Sequence, residues 1–567
     1  MKHTLLFFFG LIFANFLFAQ STQFNWVQRI GGFNSEIVSD VKVDSSGNSY
    51  ISGTFKGAVD FDPGPNTLYF VSMSFTTTFL VKLDQNGALV WAKHFNGNGV
   101  SSMALELDQQ GNIVMLGAFS GVVDFDPSDS TVFNMYALLG QNTYVVKLNP
   151  AGELVNAFCT NGEGNTLPYA FELDANDNVI VCGSFNGKVD FDPGLNTYIV
   201  NSNSVLDNYV VKYSATGVFK WVIQNDSLQP KRITDISTDI LGNVYSYGQF
   251  NNTVDFDPGI GVTSISSMGS TDLFVCKLDS NGVFQWAKNY GGKQSDEAAF
   301  IAYTSAGDLI ISGRFKDTAF NVPNMSNRLV SNTGNDRKDV FIANLNVQGE
   351  MQWAKKISAD QNDAINNLSL DQSNNIFVCG SFKGNTIFSS DANSGIYQSL
   401  NHTDSYVAKF NANGELVWIN QFEGVQDGTA TSVDVNALGS VYTVGVFKGD
   451  VNFEAGPAIY TINGNGGGND IYIHKMSQTP TSFQVENTLN DIVLYPNPTN
   501  GQVVISSSSN LVEAKISVKN YLGQHIQTSQ ILIGSDIQLD LLNCAPGMYI
   551  LEIQKGQTNA VYKLIKH

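Results

Sequence analysis

Between Trp26 and Met476 the chain runs in short stretches where apolar and polar residues alternate, with β-branched and aromatic side chains at the apolar positions. Ile113–Phe119, Phe79–Leu83, Tyr144–Leu148, Phe274–Leu278 and Ala88–Lys93 are examples. Alternation with period two places every second side chain on one face of a strand, and no stretch has the spacing of an amphipathic helix. Turns separate the runs. D-x-x-G-N stands at Asp44–Asn48, Asp108–Asn112 and Asp239–Asn243, and Gly-containing turns at Asp84–Gly87, Asn149–Gly152 and Asp279–Gly282. Gly and Asn tolerate the positive φ such turns require. The pattern predicts strands in groups of four, the second of each group running into a G-x-F anchor.

The anchors lie at Gly53, Gly117, Gly183, Gly248, Gly313, Gly380 and Gly445, at intervals of 64, 66, 65, 65, 67 and 65 residues. A fixed period of this kind is the mark of a repeat architecture. All six tryptophans, Trp26, Trp91, Trp221, Trp286, Trp353 and Trp418, fall at one position of the fourth strand, and Asn156 fills the seventh slot. A Trp in nearly every unit reads as an inter-unit packing residue, because aromatic burial dominates core energetics. The phase of the chain adds closure. Trp26 belongs to a fourth strand that precedes any first strand, while the seventh copy stops after its third strand, Ile471–Met476. The expectation is an all-β chain, a seven-bladed β-propeller in which the N-terminal strand completes the last blade.

With G-x-F-x-G at Gly53–Gly57, the D-x-x-G-N turns and the Val81–Trp91 segment, the chain resembles the bacterial β-propeller repeat family SBBP. The resemblance implies a propeller scaffold and no single activity.

After Met476 the grammar changes. Residues 477–490 are polar and read as a linker; Leu494–Gly501, L-Y-P-N-P-T-N-G, then opens a series of short alternating strands that predict a small β-sandwich over 491–567. Tyr495–Pro498 with Gly501, Tyr521-Leu522-Gly523, Pro546–Ile550 and Lys563–Lys566 make this tail similar to the type A sorting domain of type IX secretion. The resemblance implies a Gram-negative, Bacteroidota-type bacterium and a chain handed to the type IX machinery. It also implies removal of the tail, with release or attachment at the cell surface.

Residues 1–19 fit that address: Lys2 and His3 precede the apolar run Leu5–Phe18, and Ala19 offers a cleavage site, as in a secretory signal peptide. The propeller is then expected over 20–476, and no later stretch is apolar enough for a transmembrane segment. A formal charge of -20 argues against nucleic acid, which needs basic patches, and leaves cation binding open. Five cysteines, Cys159, Cys182, Cys276, Cys379 and Cys544, are odd in number and irregular in spacing, and read as buried unpaired thiols.

Catalytic motifs are absent from the sequence. His94, His402 and His474 have no metal-binding spacing, and neither G-x-S-x-G nor a phosphate loop occurs. Carboxylate pairs of the glycosidase kind assemble in space and leave no such trace. The chemistry that repeats is V-D-F-D-P-G, at Val59–Gly64, Val189–Gly194 and Val254–Gly259, with V-D-F-D-P-S at Val123–Ser128. Its carboxylates are Asp60, Asp62, Asp124, Asp126, Asp190, Asp192, Asp255 and Asp257. One reading makes them structural. Asp62 would cap Gly64 N–H in an Asx-turn, and Asp60 would pair with the third-strand lysine of its own copy, Lys82, Lys147, Lys212 or Lys277. The other makes them ligands for calcium or another hard cation, which wants several oxygens. Copy seven keeps Asn452 and Glu454, whereas copy five has Phe320 and Val322 and copy six Ile387 and Ser389. The acidic motif therefore occupies one contiguous sector. The sequence as a whole reads as an exported, secreted or surface-displayed binding or scaffold module for an extracellular glycan or protein. A polysaccharide-acting propeller enzyme and a structural surface protein are the alternatives.

Overall fold

The computed structural model describes residues 20–566 except 96, 98, 129, 204, 226–230, 317, 320–328, 331–337, 360–362, 389–395, 455–459, 465–466, 481–491, 508–514, 521–524, 531–535, 543, 545–546 and 556–557. The signal segment, most of the linker, Phe320, Val322, Ser389, Tyr521-Leu522-Gly523 and Pro546 thus lie outside the described residues. Every described element is a strand, and the chain divides into a unit spanning Thr22–Gln478 and one that contains Thr479–His567.

In the larger unit, antiparallel four-stranded arrays follow one another. The first copy orders Ile37–Val43, Ser49–Asp60, Tyr69–Leu83 and Leu89–Phe95, and the second Ser101–Leu107, Ile113–Asp124, Asn134–Leu148 and Leu154–Cys159. The third to sixth copies repeat this order from Asn165, Lys231, Glu297 and Ala364. In the seventh, Gly428–Val435, Val441–Phe447 and Asp470–Pro480 are followed in the sheet by Gln20–Gly32 from the other end of the chain. The Asp470–Pro480 strand runs into the stretch expected to be linker. First strands of successive copies lie against one another, and that of the seventh lies against that of the first.

Local chemistry explains the grammar. In the first D-x-x-G-N turn, Asp44 Oδ1 accepts the N–H groups of Ser46 and Asn48, both at 2.9 Å, and Asn48 Nδ2 donates to Asp44 Oδ2 at 2.7 Å. The anchor glycine is demanded by close approach. A Cβ on Gly53 would lie 2.1 Å from the Ile37 carbonyl oxygen and 2.8 Å from the Phe79 ring. The tryptophans bridge copies as expected: the indole N–H groups of Trp26, Trp91 and Trp221 donate to the carbonyls of Gln85, Pro150 and Ser280 at 3.1, 3.2 and 3.1 Å. Asn156, in the slot without Trp, makes the same bond to Thr216 O at 3.0 Å. Trp26 shows that the N-terminal strand serves as a fourth strand toward the first copy.

The smaller unit has two sheets. Ile492–Tyr495, Gln502–Ser507 and Asp536–Asp540 form one; His525–Gln530, Lys515–Asn520, Gly547–Lys555 and Thr558–Lys566 form the other. Val503, Ile505 and Leu539 from the first pack with Ile516, Val518, Leu551, Ile553 and Leu564 from the second in one core. Cys159, Cys182, Cys276 and Cys379 are buried and Cys544 is half-buried, and none is in a disulfide. His474 is a core residue, its pKa pushed down to about 3 by burial.

Candidate functional site

Two sets of carboxylates present themselves, one at the hairpins built by V-D-F-D-P-G and one where the first strands converge. In the hairpins the apolar residues face inward. Val59 and Phe61 are fully buried, and the Phe61 ring sits 5.1 Å from both Phe55 and Phe79. Phe125, Phe191 and Phe256 repeat this contact with Phe119, Phe185 and Phe250, the anchor phenylalanines of their copies.

The aspartates brace the hairpin backbone. Asp60 Oδ1 accepts the N–H groups of Asp62 at 3.1 Å and, across the loop, of Leu68 at 2.8 Å. Asp124 Oδ1 accepts Asp126 N–H at 3.0 Å and Phe133 N–H at 2.8 Å. Asp190 holds Asp192 and Tyr198 at 3.1 and 2.7 Å, and Asp255 holds Asp257 and Thr263 at 3.1 and 2.8 Å. Asp62, Asp192 and Asp257 accept the N–H of Gly64, Gly194 and Gly259, each at 2.8 Å, in the expected Asx-turn. Asp126 accepts Ser128 N–H at 3.0 Å and also the Thr131 hydroxyl. Asn452 does the work of Asp60 in copy seven, accepting Glu454 N–H at 3.2 Å and Tyr460 N–H at 3.0 Å.

The expected pairing of Asp60 with the third-strand lysine is overturned. Lys147 Nζ lies 3.0 Å from Asp108, Lys212 2.8 Å from Asp174 and Lys277 3.7 Å from Asp239, the first residues of their copies' first-to-second-strand turns. Lys82 donates to Pro150 O at 3.0 Å. The turn aspartate is the nearer partner because it leads into the second strand, whose residues sit directly opposite the lysine in the ladder. This also explains the outliers. In copy five Asn344 Nδ2 donates to Asp308 at 3.3 Å, and in copy six Lys409 is 3.7 Å from Asp371.

The hairpins so braced carry exposed aromatic and aliphatic side chains. Tyr69, Tyr136, Tyr198 and Tyr460 are 61%, 53%, 49% and 45% accessible, and Leu195 and Ile260 are fully exposed at hairpin tips.

Sequence reasoning did not pick out the first-strand set: Asp40, Lys42, Glu106, Glu172, Asp235 and Asp434. The signal was present, since these residues occupy two register positions of the first strand: Asp40 and Asp235 lie opposite the residue before the anchor glycine, and Lys42, Glu106, Glu172 and Asp434 lie two residues further on. Neighbouring first strands share no backbone ladder, and side chains bridge them instead. Asp40 Oδ2 accepts Leu105 N–H at 2.8 Å, while its Oδ1 accepts Val41 N–H at 2.8 Å and the Ser432 hydroxyl at 2.6 Å. Asp235 accepts Ile301 N–H and Asp434 accepts Val43 N–H, both at 2.9 Å. Lys42 Nζ is 2.7 Å from Glu106 Oε1. Burial opposes the Lys42 charge, yet Glu106, Asp40 and Asp434 hold the ammonium above the usual lysine range. Burial pushes Asp235 up to about 7, against the N–H bonds it accepts. Glu172 is raised well above the usual carboxylate range, by burial and then by the like charge of Glu106. Among the described residues no group of three or more His, Cys, Asp or Glu side chains is arranged to hold a metal ion.

Residues 493–567 match the family model of the secretion system C-terminal sorting domain. That match implies engagement with type IX secretion machinery. An uncharacterized WD repeat-containing protein of Acanthamoeba polyphaga mimivirus is 21% identical over 508 residues, covering 76% of this chain and 36% of that protein. The regulatory protein FlaEY of Caulobacter vibrioides is 29% identical over 102 residues, 18% of this chain and 10% of the relative. This chain therefore spans about a third or less of the length of the curated relatives it matches. A solved protein of unknown function from Dyadobacter fermentans shares 11% identity at a TM-score of 0.35, covering 81% of this chain and 99% of that one. No described helix is long and apolar enough to cross a membrane.

Proposed function

We propose that the chain is an exported binding or scaffold module, a seven-bladed propeller closed by its N-terminal strand and delivered to the outside by its sorting domain. The placement of Gln20–Gly32 beside Asp470–Pro480 supports closure, as does the contact between the first and seventh first strands. The observation that carries the binding role is the set of hairpins braced by aspartate or, in copy seven, by Asn452. All of them join second to third strands, and they present Tyr69, Phe133, Tyr136, Tyr198 and Tyr460 with carboxylates alongside. Fixed aromatic faces next to polar acceptors suit an extracellular glycan, whose sugar rings offer C–H faces and hydroxyl donors, or an apolar protein segment. Glycan-array and pull-down binding by the full chain, compared with a Tyr69→Ala/Tyr136→Ala/Tyr198→Ala variant, tests this. Loss of binding in the folded variant is expected. Equal binding by both would overturn the hairpin surface, and no binding by either would favour a structural surface protein.

A second reading is favoured by one observation: Glu172, with no hydrogen-bonded partner among the described residues, stands near Glu106 with its carboxyl kept protonated to higher pH than usual. A carboxyl kept protonated near a second one that an ammonium contacts, as Lys42 contacts Glu106, resembles the acid-and-carboxylate pairing of a polysaccharide-cleaving enzyme, although burial raises Glu106 as well. Release of reducing ends from polysaccharide, abolished in Glu172→Gln, would support it.

A further inference from the structure

The seventh copy differs from the others in what its third strand buries. Just before the lysine slot, copies one to six place Val81, Val146, Val211, Cys276, Ala343 and Ala408, all buried. Copy seven places His474 there, only 1% exposed. Its ladder neighbour on the second strand is Thr443, where the other copies have Ile51, Met115, Val181, Ser246, Ile311 and Val378. Thr443 is fully buried, and neither its Oγ1 nor His474 Nδ1 has a hydrogen-bond partner among the described residues. A place filled six times by a small side chain thus holds an imidazole with an unpaired nitrogen once.

Aromatic rings surround that imidazole. Its centroid lies 4.7 Å from that of Phe422 on the fourth strand of copy six, 6.2 Å from Phe453 of the copy-seven hairpin and 5.7 Å from Phe24. Phe24 belongs to the N-terminal strand Gln20–Gly32, and its ring lies 4.9 Å from that of Tyr460, which is 45% accessible. Half-buried Phe24 therefore links His474 to the surface. Titratable groups of the same copy are Asp470, Tyr472 and Lys475 on its own strand, Tyr442 on the second strand, Arg29 on the N-terminal strand, and Asp450 and Glu454 in the hairpin. Those of copy six are Cys379, Asp404, Lys409 and Glu423. Arg29 is engaged with Asp470 at 3.5 Å, and Lys475 donates to Gln85 O at 2.8 Å. None of these groups bears on the imidazole, whose pKa falls from 6.5 to about 3 through burial alone.

We propose that His474 is an acid-sensitive latch: a proton on its imidazole releases the leading half of the N-terminal strand, residues 20–27, from the seventh copy. A cationic imidazole has neither counter-charge nor acceptor among these rings, and it reaches water once Phe24 lifts away. Arg29, Asp470 and Glu36 lie toward the other end of the strand, so that ion pair stays closed. The sign follows from linkage. A base whose folded pKa is depressed stabilises the closed form above pH 6.5, and that contribution is lost as pH falls toward the folded value. Each pH unit below 6.5 multiplies the opening by about ten. The latch needs only the observed placement of the N-terminal strand beside Asp470–Pro480, and it is independent of what the hairpins bind.

Hydrogen exchange read by mass spectrometry on the full chain, between about pH 7.5 and about pH 4.5, tests this. Wild type is compared with His474→Val and His474→Ala, the side chains that copies one to three and copies five and six use. After correction for the pH dependence of intrinsic exchange, opening of residues 20–27 in the wild type should rise about a hundredfold, while Ile113–Phe119 stays protected. In either folded variant, opening of residues 20–27 should not change with pH. The same acid-induced rise in wild type and variant would overturn the latch. So would a wild type whose residues 20–27 stay closed in acid, or open only together with Ile113–Phe119.

Discussion

The hairpin aspartates and the interface aspartates are the same residue type in the same repeats, and they solve opposite problems. Asp60, Asp124, Asp190 and Asp255 are partly accessible, and backbone N–H groups a few residues away answer their charge. Glu36, Asp296 and Asp363 are buried between copies, and burial raises their pKa values to about 7, 7 and 8. Repetition in sequence advertises the first set. Energetic consequence belongs to the second, because desolvation costs scale with burial and not with how often a motif recurs.

That contrast is open to breaking, beginning inside the motif itself. Phe61→Ala should lower stability by about 3–5 kcal/mol, the cost of a cavity among fully packed rings, as read by calorimetry or denaturant unfolding. Asp40→Ala should cost about 2–4 kcal/mol, since it leaves the buried Leu105 N–H and Ser432 hydroxyl without their acceptor. If Asp62→Ala, which loses one exposed turn bond, costs as much as either, the hairpin acids are more than braces; less than about 1 kcal/mol is expected.

The pH dependence sharpens the same contrast. Acids whose folded pKa is raised bind protons more tightly in the native state, so the stability they contribute at low pH is lost as pH rises through their folded values. Glu36 faces Asp470 and Arg29, Asp296 faces Asp272 and Lys338, and Asp363 faces Asp339 and Arg314. Asp108 and Asp174 have the opposite sign. Burial opposes their charge but hydrogen bonds from Asn112, Lys147, Asn178 and Lys212 outweigh it, and their contribution disappears in acid. The melting temperature should therefore peak near about pH 5 and decline toward about pH 8. A profile that rises steadily to pH 8 would mean that the interface acids are not held as described.

The period, the four-strand grammar and the inter-copy role of the tryptophans were legible in the sequence because each depends on short-range pattern: alternation, turn chemistry and a fixed slot. The Asx-turn at Gly64 was legible for the same reason. The lysine partner was not. Asp60 and Asp108-type residues are both plausible in one dimension, and only the ladder register brings the turn aspartate next to the third-strand lysine. The first-strand charges and the interface acids were hidden more deeply. Asp272 meets Asp296, and Asp40 meets Ser432, only when copies are set side by side.

Denaturant unfolding of single-site variants tests the division between hairpin braces and buried acids most directly. Asp62→Ala and Asp192→Ala are each expected to cost less than about 1 kcal/mol, and Asp40→Ala about 2–4 kcal/mol. Equal costs in the two sets would contradict it.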